Sequence, residues 1–282
     1  MSIKEINPAN IKALAFDLDG TLLAPGSILT ERTKKAIDLC VSRGIKIIIA
    51  TGRAPGTTDQ FRAALGLSGP MVCFNGAVVI DMPGGNILSS VFLNAAAYEY
   101  CIDLSRDRNI YFQLYFYSGS DKNEMVLMAE KEDRFLDAYT DHTGMHIEIG
   151  NLKETMRKQN GQGCIKGMFL ADEEYLDNLR PELEKHFGSS VYLVRSMPTY
   201  LEILNAEVSK GTGLSSALSH LNLKKDQVIA FGDEENDLPM FDAAAFSVAP
   251  SNAVPAVKAA ANITVRSNNE DGIAIFLEEL FS

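Results

Sequence analysis

IKALAFDLDGTLLAPG, residues 11–26, sets an apolar run against two aspartates, Asp17 and Asp19, with Gly20 and Thr21 directly after them. Ile11 to Phe16 is apolar enough for a central parallel strand covered on both faces. An Asp-Gly pair at a strand end is, by itself, ordinary turn chemistry. A calcium loop requires Gly at its sixth position and Glu at its twelfth. Counted from Asp17, those positions hold Leu22 and Ile28, so the calcium reading fails. In an open α/β sheet, ligands bind beyond the carboxyl ends of the strands. Two like charges placed there repel unless something positive stands beside them, and a hard cation with oxygen ligands, such as Mg2+, meets that need.

Working outward, the pattern alternates strand and helix. A helix is expected from about Thr30 to Arg43, with Thr30 as its cap and Gly44 after its end. IKIIIATGR is a second buried strand, ending in Thr51, Gly52 and Arg53, and a helix from Pro55 to Leu65 follows. A short strand, MVCF, then leads into the turn NGA. Such alternation predicts a parallel sheet with helices on both faces. The character changes at VVIDMPGGNILSS, which reads as a hairpin across Pro-Gly-Gly. Beyond it come a helix near Ala95–Arg108, the aromatic strand IYFQLYFYSG, the strand CIKGMFLA and the helix DEEYLDNLRPELEKHF. Pro181 is expected to kink or break that last helix. Two strands, VYLVRS and TYLEILN, complete this part, and the polar stretches SGSDKNE and RKQNGQG read as loops. From Ser209 the first rhythm resumes, with the helix of SKGTGLSSALSHL, the strand QVIAFGD, a helical turn at NDLPMFDAA, strands AFSVA and ITVR, and a closing helix. The expected fold is α/β: a doubly wound, Rossmann-like parallel-sheet core (1–82 and 202–282) interrupted by an inserted α+β cap (83–201). Both linkers meet the core near the strand ends, where the insert is placed to act as a lid.

Composition excludes several classes. The 282 residues carry a formal net charge of −11, which argues against nucleic-acid binding, since that rests on basic patches. No stretch reaches the roughly 20 apolar residues of a membrane span, and MSIKEINPANIK lacks the apolar run of a signal peptide. Cys40, Cys73, Cys101 and Cys164 are widely spaced, without a CxxC or Cys/His pattern, and read as reduced structural thiols. The sequon at Asn262 has no secretory context, and a cytoplasmic protein is expected.

Four stations share one address, a strand's carboxyl end or the helix start beside it. They are Asp17/Asp19, Thr51-Gly52-Arg53, Ser209-Lys210 and the acidic run from Gly232 to Asp237. Each alone has a plain reading as a turn, a solvated lysine or a helix cap; the four together, in order, point to chemistry. This constellation resembles the haloacid dehalogenase-like superfamily of phosphotransferases. The long insert, with FNGA, LEI and FGDEENDLPM, is similar to its Cof-type subgroup. The resemblance implies Asp17 as the nucleophile that takes the phosphoryl group, and Asp19 as general acid and base. It implies Mg2+ held by Asp17, the main-chain carbonyl of Asp19 and the side chain of Asp233. Thr51, Gly52 and the N–H of Leu18 would bind phosphate, Lys210 would offset the negative charge, and Asn236 would donate its amide. Asp237 would orient Lys210 or a metal-bound water, and Arg53 would serve the substrate or the lid. Glu234 and Glu235 are expected to face solvent at a helix start, where acidic residues are favoured, or else to bind the metal's outer waters. Tyr115, Tyr117, Arg195 and Tyr200 are candidate lid contacts, although each residue type there is more often structural. The expected function is a Mg2+-dependent phosphatase of small phosphorylated metabolites; the alternatives are a sugar phosphomutase and a non-catalytic phosphometabolite sensor.

Overall fold

The computed structural model describes residues 3–117, 125–158 and 163–282. The stretch SGSDKNE and most of RKQNGQG therefore lie outside the described residues. The chain divides into two compact units, Met1–Ser89 with Ser209–Ser282, and Ser90–Val208.

The first unit opens with β1 (Ala13–Phe16), α1 (Glu31–Ser42), β2 (Lys46–Ile49), α2 (Pro55–Ala64), β3 (Gly69–Cys73), β4 (Val78–Met82) and β5 (Asn86–Ser90). Thr30 caps α1, its side chain accepting the N–H of Thr33. The second unit holds α3 (Ala95–Arg108), β6 (Tyr111–Tyr117), β7 (Met125–Ala129), α4 (Arg134–Thr143), β8 (Glu148–Ile149), α5 (Leu152–Lys158), β9 (Cys164–Leu170), α6 (Glu173–Phe187), β10 (Val191–Met197) and β11 (Tyr200–Asn205). The chain then returns to the first unit with α7 (Lys210–His220), β12 (Val228–Phe231), α8 (Leu238–Asp242), β13 (Phe246–Pro250), α9 (Pro255–Ala260), β14 (Ile263–Val265) and α10 (Gly272–Phe281).

The core sheet runs β14-β13-β12-β1-β2, and every neighbouring pair in it is parallel. Side chains alternate across a strand, so β1 and β12 feed two separate layers. Ala13, Ala15, Val228 and Ala230 pack into a cluster with Leu214 and Ala217 of α7 and Met240 and Phe241 of α8. On the opposite face Phe16 stacks on Phe231 at 4.4 Å between ring centroids, and Phe231 meets the edge of Phe276 of α10 at 5.7 Å. The doubly wound α/β core is thus present.

The second unit is built on a six-stranded sheet, β10-β11-β9-β6-β7-β8, antiparallel except for the short β8, which pairs parallel to β7. Helix α6 runs unbroken through Pro181, so the break that Pro181 was expected to allow does not occur. Leu176, Leu179 and Leu183 are buried on either side of the ring, while Pro181 itself lies on the exposed face. Packing of both halves therefore holds the helix through a residue that lacks its N–H.

The unit boundaries differ from the expected 83 and 202. Strand β4 pairs antiparallel with β3 along its whole length, a parallel bridge joins Ala50 to Val72, and Ser89 Oγ lies 2.9 Å from Ser216 Oγ of α7. The hairpin is thereby held by the first unit, and the division falls at Ser90. At the other end β11 pairs with β9, which keeps residues as far as Val208 with the insert.

Candidate active site

Strand β1 ends at Phe16, and the Asp17 N–H donates to the Phe231 carbonyl at 2.9 Å, which seats Asp17 just past the sheet. Lys210 opens α7, where Ser209 forms a reciprocal cap with Thr212. From there the Lys210 Nζ donates to Asp17 Oδ1 at 2.6 Å and to Asp237 Oδ1 at 2.7 Å. The other oxygen of Asp237 accepts the N–H groups of Asp233 and Glu234 at 2.9 and 3.1 Å. Asp237 is thus a structural anchor that orients Lys210 and shapes the loop after β12. Asp233 Oδ1 accepts the Thr21 hydroxyl at 2.6 Å. Gly20 makes this approach possible: its φ is +80°, and a Cβ there would fall 2.0 Å from Asp233 Oδ2.

Asp17, Asp233 and Asp237 bring carboxylate oxygens within 4.8 Å of one another, and all three are buried. Burial pushes the Asp17 carboxyl well above the usual carboxylate range, and the charges of Asp237 and Asp233 add to this against the pull of Lys210. Asp233 is pushed up to about 7, again chiefly by burial, with the Thr21 hydrogen bond opposing it. Burial pushes Lys210 down, but the charges of Asp17 and Asp237 outweigh it and hold the ammonium above the usual lysine range. Lys210 takes Oδ1 of Asp17 and Thr21 takes Oδ1 of Asp233, so each carboxylate has a second oxygen to offer a hard cation. Oxygen donors, crowded and short of positive charge, fit a divalent ion. The metal set that the resemblance implies differs from this cluster in one member, the Asp19 main-chain carbonyl standing where the cluster has Asp237.

The raised pKa of Asp233 has a consequence for stability. Between the unfolded value of 3.8 and about 7 the folded chain holds the proton more tightly than the unfolded chain does. Stability from this group therefore falls as pH rises through that window, and the full loss is present above it. Asp233→Asn keeps the acceptor for Thr21 without the charge. In chelator, the variant is expected to match the wild type near pH 4 and to melt at least about 2 °C higher at pH 8. Thermal denaturation across pH 4–8 checks this; a variant that melts lower at every pH contradicts it.

The second station follows β2. Thr51 is buried, and its Oγ1 accepts the Arg53 N–H at 3.2 Å. The Arg53 guanidinium grips both oxygens of Asp19, at 2.7 and 2.5 Å, reaches Ser27 Oγ at 2.8 Å and lies 5.1 Å from the Phe61 ring centroid. The Asp19 side chain is 52% exposed. In this structure, then, the expected acid and base is held by a bidentate ion pair with Arg53, which was expected to serve the substrate or the lid. Asn236 Nδ2 donates to Asn75 Oδ1 at 2.9 Å, while its Oδ1 is buried without a hydrogen-bond partner. Leu18 is fully buried, and Glu234 and Glu235 are exposed, as expected for the helix start.

Sequence reasoning passed over Thr21, Ser27, Asn75 and Asn252. Thr21 stands inside the DLDGT stretch and Asn75 inside an Asn-Gly turn, so both had a local signal. Asn252, which donates to the Gly20 carbonyl at 2.8 Å from 232 residues away, had none.

Within the insert, Tyr115 is buried; its hydroxyl donates to Tyr139 at 2.7 Å and accepts from Gln113 at the same distance. Tyr200 packs against Tyr139 with ring centroids 5.7 Å apart. Arg195 bonds the Pro198 carbonyl and lies 3.4 Å from Asp177. The Tyr117 side chain lies outside the description. The same sheet also carries a buried pair, Lys166 with Glu202 at 3.0 Å, the Lys166 Nζ 4.5 Å from the Tyr115 ring centroid.

The model of the haloacid dehalogenase-like hydrolases matches residues 14–277. The chain belongs to that family. It is similar to the 5-amino-6-(5-phospho-D-ribitylamino)uracil phosphatase YitU of Bacillus subtilis, 30% identical over 95% of this chain and 97% of the relative. The pyridoxal phosphate phosphatase YbhA of Escherichia coli is 28% identical over 94% and 97%. Among solved structures, TM0651 of Thermotoga maritima superposes with a TM-score of 0.81 at 31% identity, covering 95% and 97%. As a member of this family the chain is a phosphoric monoester hydrolase. Among the described residues, no helix is long and apolar enough to cross a membrane.

Proposed function

We propose that the chain is a Mg2+-dependent phosphatase of small phosphorylated metabolites, sugar phosphates or phosphorylated cofactors, acting through an aspartyl phosphate on Asp17. The observation that carries this reading is the placement of Asp17: buried at the end of β1, in contact with Lys210, among carboxylates short of positive charge. Asp17, Asp233 and the Asp19 carbonyl would hold Mg2+, which would supply the charge neutralisation that lets one anion approach another.

The residues divide the work. A carboxylate oxygen of Asp17 attacks phosphorus, the ester P–O bond breaks, and the departing alkoxide takes a proton from Asp19. Asp19 then accepts a proton from water; the hydroxide attacks phosphorus, and the bond to Asp17 breaks to release phosphate. To act in this way Asp19 leaves its pairing with Arg53. Thr51, Gly52, the Leu18 N–H and Asn236 bind the phosphoryl oxygens, and Lys210 offsets their charge at Asp17. The insert serves as the lid that selects the substrate. The activities of the relatives, on a phosphoribityl compound and on pyridoxal phosphate, support a phosphorylated metabolite or cofactor as the substrate class.

Three measurements test the reading. Purified protein with Mg2+, screened against a panel of phosphorylated metabolites, is expected to release inorganic phosphate. A hexose 1-phosphate supplied with catalytic bisphosphate separates phosphatase from mutase, because isomer forming faster than free phosphate favours the mutase. Third, exhaustive chelation is expected to abolish turnover, Mg2+ to restore it and Ca2+ to inhibit it. Calcium accepts more and looser oxygen ligands, so by gripping both oxygens of Asp17 it would keep the attacking oxygen from the phosphorus. Full activity in chelator sinks the metal requirement.

A further inference from the structure

The turn after β3, Phe74-Asn75-Gly76, has no part in the chemistry above, yet its conformation is costly. Phe74 and Asn75 both adopt left-handed backbone, with φ of 50° and 57°, and both are buried. For a residue such as Phe that conformation is unfavourable, because Cβ crowds the following carbonyl oxygen. It persists where the surroundings over-determine it, and such sites cluster at functional loops.

The surroundings here are three stations of the active site. The Phe74 N–H donates to the Arg53 carbonyl at 3.1 Å and the Asn75 N–H to the Thr51 carbonyl at 3.0 Å. The Asn75 carboxamide lies against Gly52, where a Cβ would fall 3.2 Å from Asn75 Oδ1. That same Oδ1 accepts Asn236 Nδ2 at 2.9 Å. Gly76, with φ +102°, sits so close to the start of α7 that a Cβ would fall 2.0 Å from the Ser209 carbonyl oxygen, one residue before Lys210.

We infer that Asn75 is a positioning residue that locks the Asn236 carboxamide to the Thr51-Gly52 loop, so that phosphate-binding groups from two distant segments meet their ligand already oriented. The inference rests on the phosphatase reading. Asn236 Oδ1 has no partner to fix the amide, so its orientation depends on the bond from Nδ2. An amide nitrogen carries two hydrogens; one is engaged by Asn75, and the second is then aimed by it. Without Asn75 the carboxamide is free to turn, and ordering it becomes a cost of binding.

A double-mutant cycle tests this with inorganic phosphate as the probe, titrated calorimetrically in Mg2+. Asn75→Gly retains the left-handed backbone and removes only the side chain. Asn75→Gly and Asn236→Ala are each expected to weaken phosphate binding about tenfold. If Asn75 acts through Asn236, the double variant binds no more weakly than Asn236→Ala alone. Losses that multiply to about a hundredfold, or Asn75→Gly binding within twofold of the wild type, overturn the inference. Should Asn75→Gly not fold, Asn75→Asp keeps both the accepting oxygen and the tolerance for left-handed backbone. On that background Asn236→Ala must still cost about tenfold, and a cost below about threefold overturns the inference. A wild type that neither binds phosphate nor releases it from any phosphomonoester overturns the phosphatase reading and the inference with it, whereas a working wild type with additive variants overturns the inference alone.

Discussion

Asp17→Asn is expected to lower the rate of phosphate release by about a thousandfold or more and to leave the fold intact. The substitution is nearly isosteric, and Asn keeps an acceptor for the Lys210 ammonium 2.6 Å away. It removes the attacking carboxylate and one of the oxygens offered to the metal, so both covalent catalysis and charge neutralisation are lost. It also removes one negative charge from a crowded, buried cluster, so the melting temperature is not expected to fall. Initial rates and thermal denaturation on the same preparation check both halves. A variant that keeps more than about a tenth of the wild-type rate removes Asp17 from its role.

Lys210→Met is expected to damage activity and stability together. The ammonium is the shared partner of Asp17 and Asp237, all three groups are buried, and the apolar replacement leaves two carboxylates facing each other without it. Breaking a buried pair by removing one partner costs about 3–5 kcal/mol. For a chain of this size that corresponds to a drop of roughly 6 °C or more in melting temperature. Adding Asp237→Asn removes one stranded charge and is expected to recover part of the stability but none of the activity. Lys210→Met melting within about 1 °C of the wild type contradicts the account of this lysine as the counter-charge of the site.

The sequence reading was strongest where local physics decides. The IKALAF and IKIIIA runs had to be buried parallel strands, and the strand ends beyond them had to carry the ligands, so the α/β core and Asp17 were legible from one stretch. The partnership of Asp237 with Lys210 was expected only from the resemblance and lay beyond the reach of spacing, since their contact spans 27 residues and depends on how α7 lies against the loop after β12. The clamp of Arg53 on Asp19 was also beyond reach, because side-chain direction, not spacing, brings those two together. In the insert the long elements were readable. The short ones, α4, α5, β7 and β8, were not, since runs such as MVLMA suit strand or buried helix equally. The hairpin β4-β5 was recognised but cut at residue 83, which gave β5 to the insert, because the pairing of β4 with β3 is set across the Asn75-Gly76 turn rather than within the hairpin. Pro181 misled for a different reason: tertiary packing of Leu176, Leu179 and Leu183 overrode a local helix breaker.

The central claim is that Asp17 itself carries the phosphoryl group during turnover. Enzyme mixed with a radiolabelled phosphomonoester and Mg2+ is quenched in acid within the first turnover, then reduced with borohydride and digested. The account predicts protein-bound label that hydroxylamine releases, and conversion of residue 17 to homoserine in the wild type but not in Asp17→Asn. Label on a residue other than Asp17, or equal labelling of the Asp17→Asn variant, would contradict it.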